Sequence, residues 1–120
     1  MEKTVEPAIT LLGKEEDENE SFKRMFLDAI DETLKHLFND VAVGAIYFYM
    51  EKTCCLRKEE IAGKPEAFSA CLHRLMGAGA LVIEDRILKT LCSKLGLQSA
   101  QESTGTFSER IVELRRSRVP

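Results

Sequence analysis

Residues 21–37 read Ser21-Phe-Lys-Arg-Met-Phe-Leu-Asp-Ala-Ile-Asp-Glu-Thr-Leu-Lys-His-Leu37. Phe22, Met25, Phe26, Ala29, Ile30, Thr33, Leu34 and Leu37 recur at steps of three and four. That spacing draws one apolar stripe along a helix of about four turns. Ser21 can cap it, and Lys23, Asp28, Asp31, Glu32 and Lys35 fill the opposite face. A helix with one apolar stripe must bury it on another element, so this stretch predicts a helical core and an all-α fold.

Reading outward from the stripe, Asn39 can cap a second helix from Asp40 to about Cys54. Its centre, Val41-Ala-Val-Gly-Ala-Ile-Tyr-Phe-Tyr-Met50, is apolar nearly all round. The β-branched and aromatic content would also suit a strand. A lone strand leaves its backbone groups unpaired, however, so helix is favoured, and this helix is expected to be the most buried one. Leu56 to Lys64 reads as a connector with a charged turn, Arg57-Lys-Glu-Glu60, and an apolar anchor, Ile61. Pro65 marks the first position of a third helix. Its inward face is Phe68, Cys71, Leu72, Leu75 and Met76. Gly77-Ala-Gly79 breaks it, and a fourth helix follows with Ala80, Ile83, Ile87, Leu88, Leu91 and Leu95 on one face and Gly96 as its C-terminal cap. The expected domain is thus a four-helix bundle over residues 21–96.

Two further segments flank it. Residues 1–20 hold seven acidic and two basic residues and are expected to form an acidic, weakly ordered N-terminal arm. Residues 97–105 read as a polar linker. Thr106-Phe-Ser-Glu109 then has capping-box spacing, which starts a short additional C-terminal helix over residues 107–116. Its apolar residues Phe107, Ile111, Val112 and Leu114 make a narrow stripe that cannot stand alone in water. With Arg115 they mark a candidate interaction helix, to be packed on the bundle or on another chain.

Composition narrows the function classes. The chain has 120 residues, 44% hydrophobic and 31% charged, which suits one globular domain. Its net charge of −3 comes from the N-terminal stretch, and the centre is near neutral, so no global basic field attracts nucleic acid. The basic C-terminal helix, with Arg110, Arg115, Arg116 and Arg118, lacks the interleaved aromatics of a nucleic-acid surface. The N-terminus has no basic region followed by an apolar run. The apolar run Val41–Met50 falls well short of the roughly 20 residues that span a membrane. A cytoplasmic chain with reduced thiols is therefore expected.

No catalytic or metal constellation follows from spacing. Cys54 and Cys55 are adjacent, Cys71 and Cys92 stand apart, and no Cys-x-x-Cys occurs. One of the adjacent pair should face solvent and be oxidisable. His36 pairs with Glu32 as an ordinary helix-surface pair, and His73 falls on an outer face beside Arg74. No cofactor is expected. Glu84 is the most informative single residue: it lies four residues after Ala80 and four before Leu88, on the apolar stripe. A buried carboxylate must be paired or protonated, so Glu84 is a candidate ligand contact or a structural polar site. Tyr47 and Tyr49 join it as aromatics whose hydroxyls need a polar partner. Gly77 and Gly79 precede a helix N-terminus, where backbone donors can hold an anion, though a tight turn also accounts for them.

Several stretches are familiar in order and spacing. They are Phe26-Leu-Asp-Ala-Ile-Asp-Glu-Thr-Leu34, Ala45-Ile-Tyr-Phe-Tyr-Met-Glu-Lys52 and Arg57-Lys-Glu-Glu-Ile61. Lys64-Pro-Glu-Ala-Phe68, Leu75-Met-Gly-Ala-Gly-Ala80, Glu84 and Leu91-Cys-Ser-Lys-Leu-Gly96 continue the series. Together they resemble an uncharacterised archaeal helical domain family known as the Nitrosopumilus output domain. The resemblance implies a four-helix bundle and a role at the receiving end of signalling proteins, behind sensor or receiver domains. It supplies no catalytic residues.

The function expected is a non-enzymatic protein-interaction or signalling-output module, working through a protein partner or self-association. One alternative is a small-ligand sensor with a pocket lined by Tyr47, Tyr49, Met50, Met76 and Glu84. Another is a nucleic-acid-binding output domain using Lys23, Arg24, Arg57, Lys58 and the terminal arginines.

Overall fold

Phe22, Phe26, Ala29, Ile30, Thr33 and Leu34 are all buried, so the apolar stripe of residues 21–37 is a wall of the core. The computed structural model describes the backbone over residues 2–97 and 105–118, and side chains over residues 20–97 and 105–116. Six helices and no strand occur among the described residues: α1 Glu2–Leu37, α2 Asp40–Cys54, α3 Lys58–Ile61, α4 Pro65–Met76, α5 Gly79–Leu95 and α6 Phe107–Arg118. The fold is all-α, and the strand option for Val41–Met50 is excluded. α1 begins at Glu2, so Ser21 sits in its interior and not at its start. The arm expected over residues 1–20 falls almost wholly on side chains outside the described residues, and the linker expected over residues 97–105 falls mostly outside them too.

Local chemistry sets the other helix ends. The Ala42 N–H donates to Asn39 Oδ1 at 2.8 Å, which caps α2. Pro65 occupies the first turn of α4. Gly96 closes α5 in the left-handed region at φ 74°, with its N–H turned back on to the last carbonyls. Thr106 and Glu109 cap α6 reciprocally: the Thr106 N–H donates to Glu109 Oε1 at 2.9 Å and the Glu109 N–H to Thr106 Oγ1 at 3.2 Å. The connector holds a helix of its own, α3, whose start is tied by the Arg57 N–H donating to Glu60 Oε1 at 3.0 Å.

α5 is the central element. It packs on α1, α4 and α6, and buries Ala80, Ile83, Glu84, Ile87, Leu88, Leu91 and Cys92. α2 is not the most buried helix, contrary to expectation. It buries Val43, Ile46 and Met50, while Val41 is 82% and Phe48 62% exposed. α1 and α4 are the helices packed most on α2, and they cover one side of a helix that is apolar on both.

α6 packs on α4 and α5 of its own chain. Phe107 sits between Phe26 and Phe68, with ring centroids 6.1 and 6.0 Å away, and Ile111 and Leu114 are buried beside it. Burying such a ring is worth about 2–3 kcal/mol, enough to hold a helix too short to persist alone.

Candidate functional site

Glu84 is 6% exposed and aims both carboxylate oxygens at α4. Ser69 and His73 stand four residues apart on α4, so they share a face. The Ser69 hydroxyl donates to Glu84 Oε2, and His73 Nε2 lies 3.2 Å from Glu84 Oε1. Each oxygen of the buried carboxylate thus has its own partner, as a carboxylate in a core requires. The cluster opens on to a groove of about 440 Å³ walled also by Leu81, Asp85, Thr106, Phe107 and Arg110.

The connectivity decides what this cluster does. A nucleophilic triad runs from hydroxyl to imidazole to acid. Here the carboxylate stands in the middle, and the hydroxyl proton goes to Glu84 rather than to His73. The arrangement clamps α5 on to α4. Sequence reasoning found Glu84 but missed both partners; the four-residue spacing of Ser69 and His73 was the available signal.

Tyr47 lies elsewhere. Its hydroxyl donates to Asp31 Oδ1 at 3.1 Å, and Lys58 Nζ sits 4.7 Å from its ring centroid. Lys35 and Lys58 also reach Asp31, at 2.9 and 3.5 Å, so one carboxylate ties α1, α2 and α3 together. Burial works against the charge on Asp31. Hydrogen bonds from Lys35 and Tyr47 and the two lysine charges outweigh it and hold the carboxyl below its usual range. Burial, then the negative Asp31, pushes the Tyr47 phenol well above its ordinary value. Tyr49 is half-buried against the core and Met50 fully buried. None of the described grooves gathers Tyr47, Tyr49, Met50, Met76 and Glu84.

Two donors just after the Gly77–Gly79 turn are engaged within the start of α5. The Ala80 N–H donates to the Gly77 carbonyl at 3.0 Å and the Leu81 N–H to the Ala78 carbonyl at 3.2 Å. Gly77 is required by its φ of +60°, whereas a Cβ on Gly79 would meet Met76 at an ordinary 3.9 Å.

The described grooves elsewhere are charge-compensated. The groove of about 600 Å³ between α1 and α5 holds Arg86, Lys89 and Lys94, but Lys94 pairs with Glu32 at 2.5 Å and Lys89 with Asp85 at 3.1 Å. Lys23 and Arg24 meet Lys64 in another groove, which Glu20, Glu59 and Glu60 also line. No group of three or more His, Cys, Asp or Glu among the described residues is placed to hold a metal, and no helix among them is long and apolar enough to cross a membrane.

The expectation of four reduced thiols is corrected. Cys54 at the end of α2 is joined to Cys71 on α4, with Cα atoms 6.2 Å apart. Spacing alone could not reveal this pair, because it depends on how α2 docks on α4. Cys55 is exposed and Cys92 buried, both as free thiols. Burial raises the Cys92 thiol, with the Arg110 charge opposing it.

The apolar face of α6, marked by Phe107, Ile111 and Leu114, is used up within the chain, leaving Arg115 exposed at its rim. Val41 and Phe48 instead leave α2 with an uncovered apolar face, and Leu81 and Val82, each 62% exposed, do the same at the start of α5. Comparison of the chain with known protein families, curated proteins and solved structures finds no match.

Proposed function

We propose that this chain is a non-enzymatic helical module that works by docking protein on the outward face of α2. Residues 21–96 serve as a bundle of its four longer helices, α1, α2, α4 and α5, with α6 as an added brace. The observation that carries this reading is the exposure of Val41 and Phe48, two large apolar residues seven positions apart and hence on one face. The stretch Ala45–Lys52, which bears part of the resemblance to the output-domain family, lies on the same helix. A signalling-output role belongs to the same proposal.

Position 48 is the place to test it. A photo-crosslinking amino acid incorporated there should give discrete protein adducts in cells. The same group at exposed position 66 on α4 should give none. No adduct at position 48 would overturn the docking reading. A cytoplasmic location is part of the proposal as well. It requires Cys54–Cys71 to persist or cycle against a reducing pool, which differential alkylation of rapidly quenched cells would measure.

A second reading rests on the groove beside Glu84. A small ligand there would compete with Ser69 or His73 for the carboxylate. Binding that survives Glu84→Gln, or no ligand at all, counts against it.

A further inference from the structure

Asp40, Gly44, Phe48 and Lys52 follow one another at four-residue steps along α2. Residues so spaced form a single ridge on a helix surface. All four are exposed. Along the chain the ridge reads acid, gap, bulk, base. The gap is real: a Cβ built on Gly44 would meet nothing within 4 Å. Val41 and Ala45 lie exposed beside the ridge and widen its apolar part.

Such a row is self-complementary when reversed. A two-fold axis level with residue 46 sets position 44 of one copy against position 48 of the other. The same axis sets position 40 against position 52. Bulk then meets gap and acid meets base in one register, each twice. A parallel pairing would instead set Asp40 on Asp40 and Phe48 on Phe48. We propose that α2 is the contact of a symmetric homodimer in which two copies pack antiparallel. Phe48 of each seats over Gly44 of the other, and Asp40 of each faces Lys52 of the other. This rests on the docking reading above and names its partner: a second copy of this chain.

Physical chemistry favours that occupant. A C2 contact uses the same patch twice, so it demands a surface complementary to itself. This ridge meets that demand in both shape and charge. Asp40 lies in the first turn of α2 and Lys52 in its last, so each also suits the dipole of its own helix. In the single chain Lys52 Nζ lies 5.7 Å from the Phe48 ring centroid, and turning it to a facing Asp40 bares the ring for burial. Glycine at position 44 lets two backbones approach closely, as a bulkier residue would not.

Light scattering and sedimentation of the full chain, from about 10 µM to about 1 mM, test this. The mass should rise with concentration from 13.5 kDa towards twice that value. Asp40→Lys and Lys52→Asp alone should each weaken association about tenfold, since each sets two like-charged pairs across the axis. The double variant D40K/K52D should restore it. Phe48→Asp should abolish it. Circular dichroism confirms that each variant remains folded. A monomer at every concentration overturns the proposal, as does failure of the double swap to rescue. Adducts at position 48 with a different protein and no self-association would also overturn the dimer, while leaving the docking reading intact. No adduct of any kind would end both.

Discussion

Gly44 ties the stability of the chain to its association, and the two should move in opposite directions when it is replaced. It sits mid-helix in α2, where glycine costs about 1 kcal/mol relative to alanine. Nothing lies within 4 Å of the Cβ that a substitution would add, so no clash offsets the gain. Gly44→Ala should therefore stabilise the folded chain by about 0.5–1 kcal/mol. For a domain of this size that raises Tm by about 2–4 °C. Gly44→Leu should gain nearly as much, since leucine is also a good helix former. Its bulk, however, fills the space proposed for Phe48 of the second copy. Thermal melts at a concentration where the chain is monomeric isolate the first effect, and sedimentation at high concentration isolates the second. G44L should be more stable than the parent and fail to dimerise. A G44L variant that melts lower would refute the description of α2 as open at this position. One that dimerises as well as the parent would refute the seating of Phe48 over Gly44.

Three further outcomes follow from other parts of the fold. Replacing both Cys54 and Cys71 by serine releases a loop of sequence separation 17, which should cost roughly 3 kcal/mol; denaturant titration with and without reductant checks it, and the doubly substituted chain should no longer respond to reductant. Gly105→Ala should loosen α6: φ there is +114°, and the new Cβ would fall 2.5 Å from Glu109 Oε1, the atom that caps Thr106. The loss should be about 1–2 kcal/mol, read as faster amide exchange confined to the start of α6. Asp31 carries a pH dependence. Its folded pKa lies below the ordinary aspartate value, so its contribution is present above that value and is lost as pH falls through the lower folded pKa. Asp31→Asn should flatten the acid limb of a stability–pH curve, and an unchanged limb would show that the Lys35–Tyr47–Lys58 cluster does not favour the charged form.

What the sequence made legible is what neighbouring residues decide. The α1 stripe, the Asn39 cap, Pro65 at the start of α4, the left-handed Gly96 and the Thr106–Glu109 box each depend on residues within one or two turns, and each stands where expected. Contacts between helices were less legible. Glu84 was recognisable as a carboxylate on an apolar stripe, but its partners sit on a different helix. The Cys54–Cys71 pair is invisible for the same reason. The helix start at Ser21 failed because α1 runs on without a break in either direction, and a serine inside a helix carries no signal that it is not a cap.

α2 shows why pattern alone misled. A helix apolar on every side says how much surface it has to bury and not which neighbour buries it. Within the described chain α1 and α4 pack on it and Lys58 of α3 touches its Tyr47, and the buried residues are Val43, Ile46 and Met50. Covering the ring of Phe48 would add about 2 kcal/mol, and the single chain leaves that unrealised. α6 posed the same problem in the sequence and solved it at home, placing Phe107 between two other aromatic rings. Phe48 has no such partner ring; a lysine lies over it, and Gly44 stands bare one turn away. In the proposed pair of chains the bulky aromatic and the bare glycine on this outer face would close both halves of one contact.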